Sequence, residues 1–283
     1  MKLAKFKSLN LFLGLGILFL FSFCTNNEKP ETMNEKVNIL FLHHSTGKQI
    51  WRGGTSKVVY KLTKVGNVQK WFLKYNKEHE TEYVITEQNF PKKEPYGWSN
   101  YPYDYYNIWV KNAGDEYYMD EPTLEILTKE YNAIIWKHCF PVGKMVESKD
   151  PPDIDSPERT IENYKLQYEA LKKKMLKFPD TKFLVWTGAA LVENNTNKRA
   201  AELTRSFFDW VTKEWDEPGD NIFLWDFYEL QTEGGIYFKD EYAESPDNSH
   251  PSAKFSRVVY PYFCKRIVDV ITGDADNNPV TGK

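Results

Sequence analysis

The stretch VNILFL at residues 37–42 decides the fold class of this chain. It is an almost continuous apolar run, which is typical of a strand that is covered on both faces of a parallel sheet. Four further runs of this kind follow, at residues 82–86, 133–136, 182–186 and 221–225. Helical patterns lie between them, so the alternation predicts an α/β domain with a five-stranded parallel sheet and helices on both faces.

The helical patterns are amphipathic and of ordinary length. Gly66 is a break point in the first, and Ser156-Pro157-Glu158 predicts the start of the third, with a cap residue, a proline and an early acid. The predicted helices cover residues 57–77, 122–131, 156–177, 197–215 and 251–272. Residues 89–119 are predicted to be irregular.

Composition excludes several classes of protein. The chain has 283 residues, with 37 Lys+Arg against 40 Asp+Glu, and 16% of its residues are aromatic. So much aromatic surface opposes disorder, because its burial offsets chain entropy. A mean hydropathy of -0.61 excludes a polytopic membrane protein. A net charge of -3 gives no electrostatic reason to expect nucleic acid as a partner.

The N-terminal segment is predicted to be an export signal. Three lysines precede a mostly apolar run at residues 9–23, which is short for a membrane span and ends at Cys24. The segment resembles a bacterial lipoprotein signal, which implies a lipid on Cys24 and a membrane-anchored protein in the periplasm or at the cell surface. Phe23 stands where such signals carry a small residue. An ordinary signal peptide and an uncleaved anchor are the alternatives, and all three export the protein.

These predictions divide the chain into a signal peptide at 1–23, a polar tether at 24–36 and one domain at 37–283. Removal of the signal takes away three lysines and no acidic residue, so the net charge falls from -3 to -6. Two cysteines then remain, Cys139 and Cys264. An exported compartment permits a disulfide between them. The alternative is that both are small buried hydrophobes.

Histidines concentrate where the predicted strands end. His43 and His44 follow the first strand, His138 follows the third, and His250 precedes the last helix. In open parallel sheets the functional crevice lies outside the carboxyl ends of the strands. Four of the five histidines are therefore expected at one edge of the domain, and that edge is the expected site.

Ser45, Asp247 and His250 form the sharpest constellation at this edge. A serine hydroxyl becomes a nucleophile when a base takes its proton, and a carboxylate fixes the tautomer of that base. An Asp three residues before a His, at the mouth of a helix, is expected to share one turn with it. The backbone N–H of Ser45 itself is a candidate donor to an oxyanion.

A serine directly after the first strand, with Asp247-x-x-His250 before the last helix, resembles the SGNH (GDSL-like) hydrolase superfamily. The resemblance spans residues 37–270 and implies a three-layer, flavodoxin-like fold. It also implies Ser45 as nucleophile, His250 as base, Asp247 as the acid that orients the base, and no cofactor. The usual Gly-Asp-Ser block is replaced here by His43-His44-Ser45.

The Gly-x-Asn-Asp block that supplies an oxyanion donor in the family is absent here, and Lys137-His138-Cys139-Phe140 stands in its place. Gly97 matches the family glycine after the second strand, while Asn100, His138 and Lys137 are further candidate donors. A metal site built from the clustered histidines and Asp226 is the alternative chemistry. No His-x-x-x-His pair supports it, and no metal is expected.

Seven aromatic residues crowd between Tyr96 and Trp109. Tyr and Trp offer flat apolar faces with a polar edge, which suits stacking on sugar rings. His44, Trp98, Tyr103 and Trp109 are therefore candidate substrate-binding residues, and a long insertion that packs its own small core is the alternative. The expected function is an exported serine esterase that removes acetyl groups from a carbohydrate or another small ester. The alternative is an inactive glycan-binding surface lipoprotein with the same fold.

Overall fold

The computed structural model describes residues 35–97 and 99–283. The predicted signal peptide at 1–23, lipidation at Cys24 and all but the last two residues of the predicted tether lie outside the described residues. Asn34–Lys283 form one compact unit by their contacts. No described helix is both long enough and apolar enough to cross a bilayer.

A five-stranded parallel sheet lies at the centre, in the order β2-β1-β3-β4-β5. The strands are β1 (Val37–His43), β2 (Tyr83–Asn89), β3 (Ala133–Lys137), β4 (Lys182–Trp186) and β5 (Ile222–Trp225). The predicted α/β fold, its flavodoxin-like strand order included, is confirmed. The direction of strand order reverses between β1 and β3, and ligands bind at such a switch point in sheets of this kind.

Nine α-helices surround the sheet in the described residues. They are α1 (Ser45–Arg52), α2 (Lys57–Thr63), α3 (Asn67–His79), α4 (Pro102–Tyr106), α5 (Leu124–Leu127), α6 (Ile161–Met175), α7 (Lys198–Trp210), α8 (Phe227–Thr232) and α9 (Ala253–Thr272). Helices α1, α3 and α9 pack together, and α6 packs against α4 and α7. Short π-helical turns extend α4 to Lys111 and α7 to Trp215.

The predicted break at Gly66 is confirmed. Helix α2 ends at Thr63, and Gly66 is the N-cap of α3, where a Cβ would lie 2.3 Å from the carbonyl oxygen of Trp51. Two helix starts differ from the sequence prediction. The third helix starts at Thr160, whose side chain accepts the Asn163 N–H, and not at Ser156. The last helix starts after Ser252. The residues before it form β7 (Asn248–Pro251), which pairs antiparallel with β6 (Ala243–Ser245).

Aromatic rings fill the core on both sides of the sheet. Phe41 stacks on Trp186 with ring centroids 5.4 Å apart, and the edge of Trp225 meets Trp186 at 4.4 Å. Such pairs add about 0.5–1.5 kcal/mol each beyond their burial. Cys139 and Cys264 are both free and buried, so they form no disulfide here.

Candidate active site

Ser45 lies at the switch point of the sheet. It follows β1 directly, is the first residue of α1, and is exposed. The turn is tight, because a Cβ at Gly47 would lie 2.5 Å from Cβ of His43. Ser45 Oγ lies 3.5 Å from Sγ of Cys139, which follows β3. Residues from both sides of the switch point therefore meet at the Ser45 hydroxyl.

A bracing network holds the turn that carries Ser45. His43 Nδ1 lies 2.9 Å from the carbonyl oxygen of His44, and His43 Nε2 donates to a Glu87 carboxylate oxygen over 2.6 Å. Lys48 and Tyr60 also donate to Glu87. Burial acts to raise the pKa of Glu87, but these three donors lower it to about 2. Glu87 is thus a fixed anion that ties β1, α1 and α2 together.

Cys139 is the residue that sequence reasoning missed. Burial acts to raise the pKa of its thiol, but the Lys137 ammonium, the Ser45 hydroxyl and the backbone N–H groups of Phe140 and Thr46 together lower it. These groups surround the sulfur as donors surround an oxyanion. The signal in the sequence was the spacing of Lys137 and Cys139. They are two residues apart at the end of β3, so their side chains are expected on the same face of the sheet.

Lys137 supplies the positive charge at this point. It is fully buried, donates to the Thr46 hydroxyl, and lies 5.6 Å above the ring of Trp186. Burial lowers its pKa to about 8, and Cys139 acts against that shift. Lys137 makes no ion pair with a carboxylate of the described residues. An uncompensated buried cation favours an anion beside it, which includes a developing oxyanion.

His250 lies on β7, on the other side of the loop that carries Cys139. Its ring packs edge-on against Phe140, with centroids 4.9 Å apart. Its Nδ1 lies 2.7 Å from the amide oxygen Oδ1 of Asn248. Since an amide oxygen only accepts, Nδ1 carries the proton and Nε2 keeps its lone pair. Burial, opposed by Glu244, lowers the pKa of His250 below 6.5, so the ring is a neutral base at pH 7.

Asp247 does not orient His250 in this structure. The Asp247 carboxylate accepts from the side chain of Asn194 over 2.9 Å and is exposed to solvent. The expectation that Asp247 and His250 share a turn is wrong, because Asp247 lies in the turn between β6 and β7 while His250 lies on β7. On β7, Asn248 and His250 are two residues apart and share one face. Asn248 takes the position expected for Asp247.

No hydrogen bond joins Ser45 to His250 among the described contacts. The two residues lie on neighbouring elements, since α1 packs beside β7. Cys139 contacts Ser45, and the next residue, Phe140, contacts His250. Catalytic hydrogen bonds are often long before substrate binds. The arrangement places Ser45 and His250 against neighbouring residues of one loop, with no hydrogen bond between them among the described residues.

The candidate oxyanion donors occupy different places. His138 is fully buried on the opposite face of the sheet end from Lys137, where its Nε2 lies 2.7 Å from the Tyr168 hydroxyl. Asn100 is buried, and its Nδ2 donates to Phe90 O and Tyr105 Oη. The backbone carbonyl oxygen of Asn100 accepts the Cys139 N–H over 3.0 Å. Neither side chain of His138 or Asn100 is brought to Ser45.

Gly97 has a φ of +123°, and a Cβ there would meet nothing within 4 Å. No contact of the described residues brings it to Ser45. The donors that do reach the switch point are the backbone N–H groups of Thr46 and Phe140, beside Ser45 and Cys139. Neither was expected from sequence, where the N–H of Ser45 itself was the candidate.

The candidate substrate-binding residues belong mostly to the interior. Trp109 is fully buried and donates to the Pro122 carbonyl over 3.2 Å. His44 Nε2 donates to the Pro91 carbonyl over 2.6 Å, and burial lowers the His44 pKa to about 4. Tyr103 is half-buried between Tyr101 and Tyr106. Trp98 lies outside the described residues. The aromatic segment therefore packs a core of its own, and Tyr103 keeps some exposed surface.

In the described part of the chain, no group of three or more His, Cys, Asp or Glu side chains is placed to hold a metal ion. The histidines expected to cluster have different partners: His43 meets Glu87, His138 meets Tyr168, and His250 packs on Phe140.

Comparisons with known proteins add little to this picture. No family model matches the chain, and no curated protein matches it. Among solved structures, it is similar to a gut microbial diltiazem-metabolizing enzyme, with 12% sequence identity and a TM-score of 0.44. The match covers 86% of this chain and 47% of that one, so the chain spans about half the length of that enzyme. A likeness this slight carries no inference about function.

Proposed function

We propose that the protein is a serine hydrolase of carboxylic esters, with Ser45 as nucleophile and His250 as base. The observation that carries this proposal is the fixed tautomer of His250, whose Nδ1–H is held by Asn248 while Nε2 remains unprotonated. A general base needs this state. The exposed Ser45 hydroxyl lies across the Cys139 loop from this ring, at the switch point of the sheet.

The reaction begins when His250 Nε2 takes the Ser45 proton and Ser45 Oγ attacks the ester carbonyl carbon. The carbonyl π electrons move to oxygen, and Lys137 and the backbone N–H groups of Thr46 and Phe140 stabilise the negative charge. Collapse of the tetrahedral intermediate expels the alcohol, which receives its proton from the His250 imidazolium. Water then repeats the sequence on the acyl-enzyme and releases the acid.

The hydrogen bond from His250 to Asn248 becomes charge-assisted when the imidazolium forms, and such bonds are about twice as strong as neutral ones. An amide in this position orients the ring without placing a full negative charge next to it. His250 therefore keeps its lowered pKa and is ready as a base at neutral pH. Membership of the SGNH-like hydrolases remains part of the proposal and is supported by the strand order and by the positions of Ser45 and His250.

We infer an acylated carbohydrate as substrate, with acetyl as the acyl group. The support is narrower than the sequence suggested, because Trp109 lies in the core and only Tyr103 of the described candidates keeps exposed surface. Export and a lipid anchor on Cys24 also belong to the proposal. Palmitate labelling of the protein in its host, compared with a Cys24→Ala variant, tests the anchor.

The alternative is a non-catalytic glycan-binding protein. The observation in its favour is that the Ser45 hydroxyl meets Cys139 and not His250. Hydrolysis of a small aryl acetate by the purified full chain separates the two, using wild type, Ser45→Ala and Cys139→Ala. The esterase proposal expects turnover that Ser45→Ala reduces by about a thousandfold or more. Turnover that only Cys139→Ala abolishes would make the thiol the nucleophile. No turnover by wild type would leave the binding protein.

A further inference from the structure

Helix α2 leaves its apolar side chains in water. None of its residues is buried, and Val58, Val59 and Leu62 are 70%, 44% and 79% exposed. At helical spacing Val58 and Leu62 lie one turn apart on one face. Tyr60 lies on the opposite face and donates to Glu87, so the helix is attached through that side. The outer face of α2 thus presents aliphatic side chains that nothing in the described residues covers.

Lysines flank this apolar face. Lys57, Lys61 and Lys64 follow one another at intervals of four and three, which puts them along the adjacent side of the helix. Lys57 makes a loose pair with Glu244 at 3.6 Å, with both side chains exposed. Lys61 and Lys64 make no ion pair with any described residue. Together with Val58 and Leu62, these three lysines are named the α2 face below.

The α2 face belongs to a segregated block of positive charge. No Asp or Glu occurs between Glu35 and Glu78, although that stretch contains nine Lys and Arg residues. The other residues of the chain then hold 28 basic against 40 acidic side chains, a net charge of -12. Such a separation of charge in an acidic chain favours an anionic partner at this surface.

We propose that the α2 face docks on a lipid bilayer that carries anionic headgroups. Interfacial helices combine aliphatic side chains, which enter the acyl boundary, with lysines, which meet the headgroups. A soluble polyanion would use the lysines but leave Val58 and Leu62 in water. A second copy of the chain would present the same positive charge and repel the first.

Docking in this way brings the elements of the candidate site close to the bilayer. Tyr60 on the inner side of α2 contacts Glu87, which braces the turn before Ser45. Lys57 faces Glu244 in the β6–β7 hairpin that carries His250. The α2 face and the candidate site are therefore neighbours, and this holds whether or not Ser45 is catalytic.

The test uses the full chain with a Cys24→Ser background and a polarity-sensitive fluorophore on Leu62→Cys. The matched control carries the fluorophore on Val258→Cys, a helical valine that is 53% exposed on α9. The protein is added to phosphatidylcholine vesicles with or without about 30% phosphatidylglycerol. We expect a blue shift and at least about threefold protection from iodide quenching at position 62, only on the anionic vesicles, and no change at position 258.

In the double variant Lys61→Glu, Lys64→Glu, the lipid concentration that gives half of the response at position 62 should rise by about tenfold or more. Each lysine adds to the attraction for anionic headgroups. Equal iodide quenching at positions 62 and 258 on anionic vesicles would overturn the proposal. So would a full response to soluble polyglutamate without vesicles, which would identify a polyanion site.

Discussion

Replacing Asn248 by alanine should slow ester hydrolysis much more than replacing Asp247. Asn248 Oδ1 lies 2.7 Å from Nδ1 of His250 and also accepts the His250 N–H over 3.1 Å. It thus fixes both the tautomer and the orientation of the ring. The Asp247 carboxylate lies in the turn before β7 and accepts from Asn194. Replacement of Asn248 is therefore expected to have a large effect on the reaction, and replacement of Asp247 a small one.

The magnitude follows from what the bond does before and during the reaction. A neutral hydrogen bond contributes about 1 kcal/mol, and one to a charged group about 1.5–3 kcal/mol. The bond to Asn248 therefore becomes stronger by about 0.5–2 kcal/mol when His250 becomes charged in the transition state. Loss of this stabilisation corresponds to about 2- to 30-fold in rate. The freed ring also loses its position, and a misplacement of about 1 Å costs about 100-fold. We expect Asn248→Ala to lower kcat by about 10- to 1000-fold.

The assay measures kcat/KM for an aryl acetate as a function of pH, for wild type, Asn248→Ala, Asn248→Asp and Asp247→Asn. In wild type, activity should rise with pH and level off above a midpoint below 6.5, because the base works when neutral and burial lowers its pKa. Asn248→Asp keeps an oxygen that accepts from His250 Nδ1 and adds a negative charge beside the ring. It should therefore keep the activity that Asn248→Ala loses, and the midpoint of its pH profile should lie higher than in wild type. Asp247→Asn should stay within about threefold of wild type, because its amide oxygen still accepts from Asn194.

Histidine titration by NMR gives a readout that does not depend on turnover. The pKa of His250 should rise in Asn248→Asp and stay unchanged in Asp247→Asn. If Asp247→Asn abolishes activity while Asn248→Ala keeps it, the assignment of the orienting residue from this structure is wrong and the sequence expectation is right.

Trp109→Phe should lower the free energy of unfolding in urea by about 1–3 kcal/mol and change KM by less than about twofold, because Trp109 is buried and donates to a backbone carbonyl. An increase in KM with unchanged stability would indicate instead that Trp109 contacts the substrate. Glu121 is buried, and burial raises its pKa to about 7, so its contribution to stability is present below about pH 4.5 and lost as pH rises through 7. Glu121→Gln should therefore raise the free energy of unfolding by about 1–3 kcal/mol at pH 8 and by little at pH 4.5, and an equal gain at both would contradict this account. Lys137→Met should raise the pH midpoint for alkylation of Cys139, because the Lys137 ammonium favours the thiolate. Mass spectrometry measures the alkylation, and Cys264, whose pKa is raised by burial, is the internal control and should stay unreactive. An unchanged midpoint at Cys139 would show that Lys137 does not act on the thiol.

The strands were predictable because burial on both faces leaves a plain mark on the sequence. Residues 133–136 and 182–186 are buried almost throughout, and both runs match the observed strands to within one residue. Helix boundaries were less predictable. The break at Gly66 was predicted, because glycine interrupts a helical pattern. The start at Thr160 was not, because it depends on which of two cap residues meets the helix, and contacts across the fold decide that.

Ser45 was predictable from its place after the first strand, because parallel strands bring their carboxyl ends to one edge. The partner of His250 was not, because choosing between Asp247 and Asn248 requires knowing whether the segment is a strand or a turn. Asn-Ser-His-Pro contains turn-forming residues and gives no alternation of apolar and polar residues that would predict a strand. Pairing with β6, which is a tertiary contact, decides the matter.

Lys137 connects the lowered pKa of Cys139 with the proposed chemistry at Ser45. Its charge lowers the pKa of Cys139, and in the proposed mechanism the same charge stabilises the oxyanion formed on a substrate at Ser45. The backbone N–H groups of Thr46 and Phe140 are shared in the same way. In that mechanism a thiolate at Cys139 and the oxyanion compete for one set of donors. Protonation of the thiol would release these donors, so the proposal implies that the protonation state of Cys139 affects the stabilisation of the transition state.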